Sequence, residues 1–314
     1  MNIFVTGGFG FIGSNFINYI LNKPEVDVIV NTDCLTYAAN KNNLPIHSKI
    51  KNYDINIRDR IAMYSLFNEF KISHVVHFAA ESHVDNSISK PEKFLNTNIG
   101  GTFSLLEATK SYKKLKRFHH VSTDEVYGSL SKSDPKFTEI TPYDPRSPYS
   151  ATKAASDHLV RAYHHTYNLP VTISNCSNNY GPNQHTEKLI PKIISNIYKK
   201  EKVPIYGKGD NIRDWLYVDD HCEAIWEILT RGSDGETYNI GGDCEKTNNE
   251  ILEDICRLMQ VSVDDYRVYV EDRKGHDFRY AIDFSKIKNE LGWSPRFSFD
   301  EGILNTIKFY TNSK

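Results

Sequence analysis

Tyr149 and Lys153 stand four residues apart in Tyr149-Ser150-Ala151-Thr152-Lys153. On a helix that spacing puts both side chains on one face. A phenol, with an ordinary pKa of about 10, is a poor base at neutral pH. A neighbouring ammonium favours the phenolate and makes Tyr149 an acid–base candidate for an alcohol–ketone step. Alone, the pair is a common coincidence. A second group is Ser122-Thr123-Asp124-Glu125-Val126, directly after an apolar run. Adjacent carboxyls at the C-terminal end of a buried parallel strand lie where such folds place chemistry. A solvated loop accounts for one acid there and poorly for a pair. If their surroundings differ, one carboxyl stays protonated as general acid and the other serves as base.

Such groups need a sheet to position them. Short β-branched runs at residues 3–6, 26–31, 75–78, 118–122 and 171–174 read as buried strands. Helical patterns lie between them at 12–21, 59–70, 92–112 and 149–167. This alternation predicts an α/β fold, a Rossmann-like doubly wound parallel sheet covered on both faces. Beyond residue 176, Pro182, Pro191, Pro204, Gly207 and Gly209 punctuate loops, and helices return at 218–230, 248–259 and 300–310. The expected division is a cofactor-binding Rossmann domain over 1–176 and a mainly substrate-binding domain over 177–314. Some segments of the second half should return to the first core.

Thr6-Gly7-Gly8-Phe9-Gly10-Phe11-Ile12-Gly13 lies between the first strand and the first helix. Gly8, Gly10 and Gly13 fit GxGxxG, and Gly7, Gly10 and Gly13 fit GxxGxxG. Glycines allow a tight turn and let backbone amides approach a pyrophosphate at a helix N-terminus. Asp33 follows Gly13 by 20 residues. A carboxylate there accepts from both adenosine ribose hydroxyls and repels a 2′-phosphate, which selects NAD over NADP. Asp54-Ile55 could hold the adenine edge. Beside a dinucleotide site, Tyr149 and Lys153 gain a cationic nicotinamide ring that further favours phenolate.

Composition excludes several classes. The 314 residues carry a net charge of −2, so no basic surface points to nucleic acid. Cys34, Cys176, Cys222, Cys244 and Cys256 form no CxxC pair and are odd in number, which reads as free thiols in a reducing compartment. The N-terminus has no signal-peptide pattern and no run reaches membrane-span length, so the cytoplasm is the expected location. The histidines suggest no metal site. His119-His120 lies in a strand with the two rings facing opposite ways, and His164-His165 reads as a surface pair.

These motifs resemble the extended short-chain dehydrogenase/reductase family, and within it the nucleotide-sugar 4,6-dehydratases of the dTDP-glucose type. The likeness spans nearly the whole chain. It includes Ala79-Ala80-Glu81-Ser82-His83-Val84-Asp85, the Thr123-Asp124-Glu125 triplet and Tyr149 to Lys153. It continues through Ser177-Asn178-Asn179-Tyr180-Gly181-Pro182, Glu187-Lys188-Leu189-Ile190-Pro191, Arg213-Asp214-Trp215, Asp272-Arg273-Lys274-Gly275-His276-Asp277 and Arg279-Tyr280-Ala281-Ile282-Asp283. The resemblance implies that Tyr149 takes the O4 proton of a nucleotide sugar, with Thr123 on O4, as hydride passes from C4 to NAD. Glu125 then removes the C5 proton, Asp124 protonates the departing C6 hydroxyl, and hydride returns to C6. It places Phe11, Ile12, Asp33, Cys34, Leu35, Thr36, Asp54, Ile55, Phe78, Ala79, Ala80, Glu81, Ser82, Thr97, Tyr149, Lys153 and Asn179 at NAD. It places Ser82, Thr123, Asn178, Lys188, Leu189, Pro204, Ile205, Tyr206, Arg213, Asn248, Asp272, Arg273, Lys274, Gly275 and His276 at the sugar nucleotide. Arg213 could fork two diphosphate oxygens and Tyr206 could face a base. It also implies a homodimer through the helices at 92–112 and 149–167, and a role in making rhamnose-type deoxysugars.

Two features depart from the pattern. Asn86 stands where dTDP-glucose enzymes usually carry Arg, and resembles UDP-glucose 4,6-dehydratases; the segment 129–147 is short. Both bear on the base, where dTDP is the expected preference. The alternative enzyme is a nucleotide-sugar epimerase or decarboxylase of the same family. The alternative class is a non-catalytic NAD-sensing or scaffold protein, which would not need Tyr149, Lys153, Asp124 and Glu125 together.

Overall fold

The computed structural model describes residues 1–272 and 275–312. Six strands alternate with helices through the first part of the chain: β1 (Asn2–Thr6), β2 (Val28–Asp33), β3 (Ile50–Asp54), β4 (His74–His77), β5 (Arg117–Thr123) and β6 (Val171–Cys176). They form a parallel sheet in the order β6-β5-β4-β1-β2-β3. The inner strands are buried on both faces, which favours apolar β-branched runs; the edge strand β3 (Ile50-Lys51-Asn52-Tyr53-Asp54) is partly exposed and polar, and no such run marks it in the sequence. Helices α1 (Phe11–Leu21) and α8 (Val218–Arg231) cover one face through Phe16, Ile17, Ile20, Ile225 and Trp226. Helices α2 (Arg60–Glu69), α5 (Thr102–Tyr112) and α6 (Pro148–Tyr167) cover the other through Met63, Phe67, Leu105, Leu106 and Val160.

The expected helix at 92–112 is not uniform. After α3 (Val84–Ser89) and α4 (Pro91–Phe94), the backbone widens into i→i+5 turns over Leu95–Gly101 before α5 begins. At Gly101 a Cβ would sit 2.4 Å from Ile57 Cδ1, so a larger residue in this wide turn would have to displace the Ile57 side chain.

Beyond residue 177, β7 (Asn178–Tyr180), β9 (Ile212–Tyr217) and β11 (Glu245–Thr247) form a three-stranded sheet. β8 (Val203–Tyr206) pairs with β12 (Arg267–Val270). α7 (Leu189–Tyr198), α9 (Asn248–Leu258) and α11 (Phe299–Asn312) pack around these strands in a second core. Pro191, expected in a loop, occupies the first turn of α7, where its missing N–H has no intrahelical partner to lose. β10 (Thr237–Ile240) pairs with β6 as the seventh strand of the large sheet, and α10 (Ser285–Leu291) packs beside it. Among the described residues no helix is long and apolar enough to cross a membrane. The five cysteines form no disulfide.

Candidate active site

A cavity of about 320 Å³ opens at the C-terminal ends of β1, β2, β4, β5 and β6. One wall is the glycine turn. Gly7 has φ +72°, and a Cβ on it would lie 2.9 Å from the Ala79 backbone. A Cβ on Gly13 would lie 2.4 Å from the Gly7 carbonyl oxygen. Side chains at either position would push the turn away from the strand and the helix apart from the turn. Gly10 caps α1 without a side-chain hydrogen bond. The first-turn amides therefore remain donors at the cavity wall, beside the positive end of the helix dipole. Asp33 ends β2, held by the amides of Phe9 (3.1 Å) and Leu35 (2.9 Å). Burial pushes its pKa up, and those two amides pull against it. A dipole-lined glycine turn facing a fixed carboxylate fits the pyrophosphate and adenosine ribose of a dinucleotide.

The opposite wall carries the titratable groups. β5 delivers Thr123, and the chain turns at once through Asp124 and Glu125, with Thr123 Oγ1 accepting from the Glu125 amide at 3.3 Å. α6 starts with a reciprocal cap between Ser147 and Ser150 and Pro148 in its first turn. That start fixes Tyr149 and Lys153 one turn apart against β5, and both are buried. Lys153 Nζ donates to the Val121 carbonyl at 2.8 Å.

Burial raises the Asp124 pKa well above the usual carboxylate range, and the charges of Glu125 and Asp214 raise it further. Asp124 is thus pushed toward its neutral, acid form, with Oδ2 lacking a hydrogen-bond partner among the described residues. Burial likewise raises the Tyr149 phenol, with Glu125 adding to it, whereas spacing alone pointed to a lowered value. Burial lowers Lys153, opposed by Asp157 and Cys176.

Asn98, in the wide turn before α5, ties the walls together. Its side chain accepts from the Glu81 amide and donates to the Glu81 carbonyl and to Thr152 Oγ1, at 2.9, 3.1 and 2.9 Å. On the β6 side, Asn179 Nδ2 donates to Cys176 Sγ and the Ser177 carbonyl, and its Oδ1 meets His221 Nδ1 at 2.8 Å.

A dinucleotide turn facing Tyr149, Lys153, Asp124 and Glu125 across one cavity sets an acid–base tyrosine and a carboxyl pair beside a cofactor site. The family model described as GDP-mannose 4,6 dehydratase matches residues 4–306. The chain is 50% identical to the dTDP-glucose 4,6-dehydratase of Haemophilus influenzae, over 99% of this chain and 98% of that one. The chain belongs to the dTDP-glucose 4,6-dehydratases. Its structure superposes on the Streptomyces venezuelae dTDP-glucose 4,6-dehydratase solved with NAD bound, with a TM-score of 0.96 at 42% identity over 99% and 97% of the two chains. For the Bacillus anthracis enzyme of that name, solved in complex with NAD, the TM-score is 0.92 at 46% identity over 99% and 97%.

The cavity brings together most of the residues singled out from the sequence. Gly7, Gly10, Phe11, Ile12, Gly13, Asp33, Cys34, Thr36, Ile55, Phe78, Ala79, Ala80, Glu81, Ser82, Thr97 and Asn179 line it with Tyr149 and Lys153. So do Thr123, Asp124, Glu125, Asn178 and Lys188, the last donating to the Ser82 carbonyl at 3.1 Å. Leu35 and Asp54 lie outside the wall. Leu35 is turned outward at φ +54°, and Asp54 pairs with Lys41 on the surface at 2.7 Å. The strands β2 and β3 end side by side, so Asp54 lies one strand further from the turn than Asp33.

Tyr206, Asp272 and His276 form a second group, outside this wall: His276 Nδ1 meets Asp272 Oδ1 at 2.6 Å, and its ring meets Tyr206 edge-on. Ile205 is not in it, because alternation along β8 turns that side chain into the second core. Pro204 is half-buried on β8, Leu189 opens α7, Asn248 opens α9, and Gly275 follows a stretch in which Arg273 and Lys274 lie outside the described residues. The Arg213 guanidinium is engaged rather than presented as a fork. It donates to the carbonyls of Ile212, Asp277 and Phe278 and stacks on Tyr280 at 4.3 Å, because a buried cation needs acceptors.

Sequence reasoning missed Ser122, Cys176, Ser177, Gln184, His185 and Glu187 in the wall. It also passed over Asp157, although that residue continues the spacing of Tyr149 and Lys153 by one more step of four.

Proposed function

We propose that this protein dehydrates dTDP-glucose to dTDP-4-keto-6-deoxyglucose with NAD as cofactor. The reading rests on one observation above others: a buried Asp124, its carboxyl pushed toward the acid form, beside Glu125 on the same wall as Tyr149 and Lys153. An epimerase needs the tyrosine but has no use for a neutral acid there. The elimination of water needs both an acid and a base.

Gly7, Gly10 and Gly13, the first-turn amides of α1 and Asp33 would hold the dinucleotide, with Lys153 near its nicotinamide end. When bound, NAD supplies reversible two-electron chemistry: an acceptor for hydride from C4 and a donor at C6. Tyr149 Oη, as the phenolate that the Lys153 ammonium favours, takes the O4 proton while Thr123 Oγ1 orients O4. The C4 ketone acidifies the C5 hydrogen, and the Glu125 carboxylate removes it. The released electron pair forms the C5–C6 double bond as the C6–O bond breaks, and the Asp124 proton leaves with that oxygen as water. C5 then regains a proton from Glu125 and the ketone stays at C4; the proton taken up by Tyr149 passes to solvent, from which Asp124 regains the one it gave to the departing water. The product is the kind of intermediate from which rhamnose-type deoxysugars are made.

For assembly the reading is a homodimer in the cytoplasm. Its support is apolar surface on the elements expected to pair: Leu95, Phe103 of α5 and Tyr167 of α6 are each about half exposed. Sedimentation should report twice the chain mass.

The decisive test is incubation of purified protein with dTDP-glucose and UDP-glucose in separate reactions. A product lighter by one water, with a 4-keto group, supports the reading. A C4 epimer, or no product from either sugar nucleotide, sinks it.

A further inference from the structure

On the inner face of α6, Tyr149 and Lys153 are followed at the next four-residue step by Asp157, whose side chain is fully buried. A carboxylate there costs several kcal/mol unless its charge is matched. Oδ2 accepts from Ser122 Oγ and Tyr143 Oη, both at 2.9 Å, and from Asn175 Nδ2 at 3.3 Å. Oδ1 has no hydrogen bond and faces His120 Nε2 at 3.3 Å. The same imidazole nitrogen lies 3.5 Å from Lys153 Nζ. One ring nitrogen thus stands between a buried ammonium and a buried carboxylate.

We propose that Asp157, coupled through His120, is a positioning residue for the Tyr149–Lys153 pair: the buried counter-charge that keeps Lys153 an ammonium behind the catalytic phenol. This rests on the reading of Tyr149 as the acid–base group. Three neutral donors already satisfy Oδ2, so simple packing would not require the free Oδ1 to point at His120. Burial alone works to neutralise Lys153, and Asp157 is the first opposing influence. Asp157 stays ionised: burial raises it, but His120, Lys153 and Ser122 outweigh that and hold it below the usual carboxylate range. His120 is neutral, lowered to about 4 chiefly by burial. With Nε2 bare it accepts from Lys153; with Nε2 protonated it aims a donor at Asp157. Its Nδ1 has no partner among the described residues, so neither tautomer is locked from that side.

Other titratable groups come from every packed element. His77 of β4 lies with its ring 5.2 Å from His120, and Cys176 of β6 borders Lys153. Tyr143 is capped by Arg161 at 4.9 Å, and Tyr127 senses the Asp157 charge. His77 is kept neutral by burial, and burial raises the thiol of Cys176 and the two phenols. Arg161 is held on α6 by Tyr143 and Thr237. Asp157 is therefore the carboxylate that most opposes the neutralisation of Lys153.

The test is Asp157→Asn, which keeps shape and removes charge. Tyrosinate absorbance of this variant minus that of Asp157→Asn/Tyr149→Phe reads Tyr149 alone, without substrate. Its ionisation should move up by about one pH unit or more relative to the same difference without Asp157→Asn, a unit being tenfold in the phenolate fraction. The acidic limb of kcat/KM should move up equally, with kcat near pH 7 falling about tenfold, recovering at higher pH, and KM and bound NAD within roughly twofold. His120→Gln, which leaves Asp157 and its three donors in place, should shift the limb in the same direction by less. It serves if Asp157→Asn fails to fold. A loss of activity equal at every pH, an unmoved tyrosinate titration, or loss of NAD with an unmoved limb would overturn the proposal. Absence of turnover by the unmodified protein would instead count against the dehydratase reading, and the tyrosinate titration would still decide the coupling.

Discussion

Replacing Asp124 with Asn separates the two halves of the reaction. Asp124 is 1% exposed, and burial with the charges of Glu125 and Asp214 favours its neutral form. The amide therefore replaces a neutral group of nearly the same shape. Its Oδ1 still accepts from Thr123 Oγ1, 3.3 Å away in this structure. Stability should change by no more than about 1 kcal/mol, since no buried charge is created or orphaned. Catalysis should suffer far more. A positioned general acid typically contributes about a hundredfold to ten-thousandfold, equivalent to roughly 3–5 kcal/mol of barrier. The loss should fall on elimination, because Tyr149 and Lys153 are untouched. Single-turnover absorbance with dTDP-glucose should thus still show reduced nicotinamide, formed faster than it disappears, while the 4-keto-6-deoxy product accumulates at least a hundredfold more slowly. A general acid is depleted as pH rises through its pKa, so the unmodified enzyme should lose kcat on the alkaline side by this route and the variant should lack that limb. Elimination within tenfold of the unmodified rate, or loss of the reduced-nicotinamide signal while elimination from a preformed 4-keto sugar persists, would refute the assignment of Asp124.

Tyr149→Phe removes the one phenol among the described residues of this wall and should abolish C4 oxidation, by about a hundredfold or more in single-turnover absorbance; near-normal turnover would remove Tyr149 from the mechanism. Gly13→Ala sets a Cβ 2.4 Å from the Gly7 carbonyl, so the turn must shift; expected are loss of NAD from the purified protein and destabilisation of about 1–3 kcal/mol in a denaturant titration. His74 falls from 6.5 unfolded to about 4 folded through burial, so its contribution is intact above pH 6.5 and is lost as pH drops toward 4. In His74→Gln the stability difference between pH 7 and pH 5 should therefore shrink by about 2 kcal/mol, and an unchanged difference would show the site to be solvated. dTDP-glucose should be preferred over UDP-glucose by kcat/KM, with measurable UDP-glucose turnover, since a methyl in an apolar pocket discriminates by only about 1–3 kcal/mol; a tenfold preference for UDP-glucose would make Asn86 the better guide.

The chain by itself determines what local chemistry dictates. The turn from Gly7 to Gly13 can be read because a Cβ on Gly13 would meet the Gly7 carbonyl oxygen at 2.4 Å. Tyr149 and Lys153 share a face because helix geometry alone puts them there. The β-branched runs become parallel strands because both faces must be buried. Tertiary structure decided the rest, wherever a side chain's role depends on residues distant in the chain. β10 could not be assigned to the large sheet from four residues, since its place is set by pairing with β6 more than sixty positions earlier. Arg213 looked like an anion fork, yet folding brings the carbonyls of Asp277 and Phe278 to its guanidinium. Asp33 and Asp54 looked alike, and strand order alone puts one on the cavity wall and the other on a surface ion pair. Asp124 and Glu125 are neighbours in sequence, but Asp124 is pushed toward the neutral acid only by burial and the charges of Glu125 and Asp214. Charge state and hydrogen-bond partner are properties of an environment, and the environment is assembled by long-range contacts that no local pattern encodes.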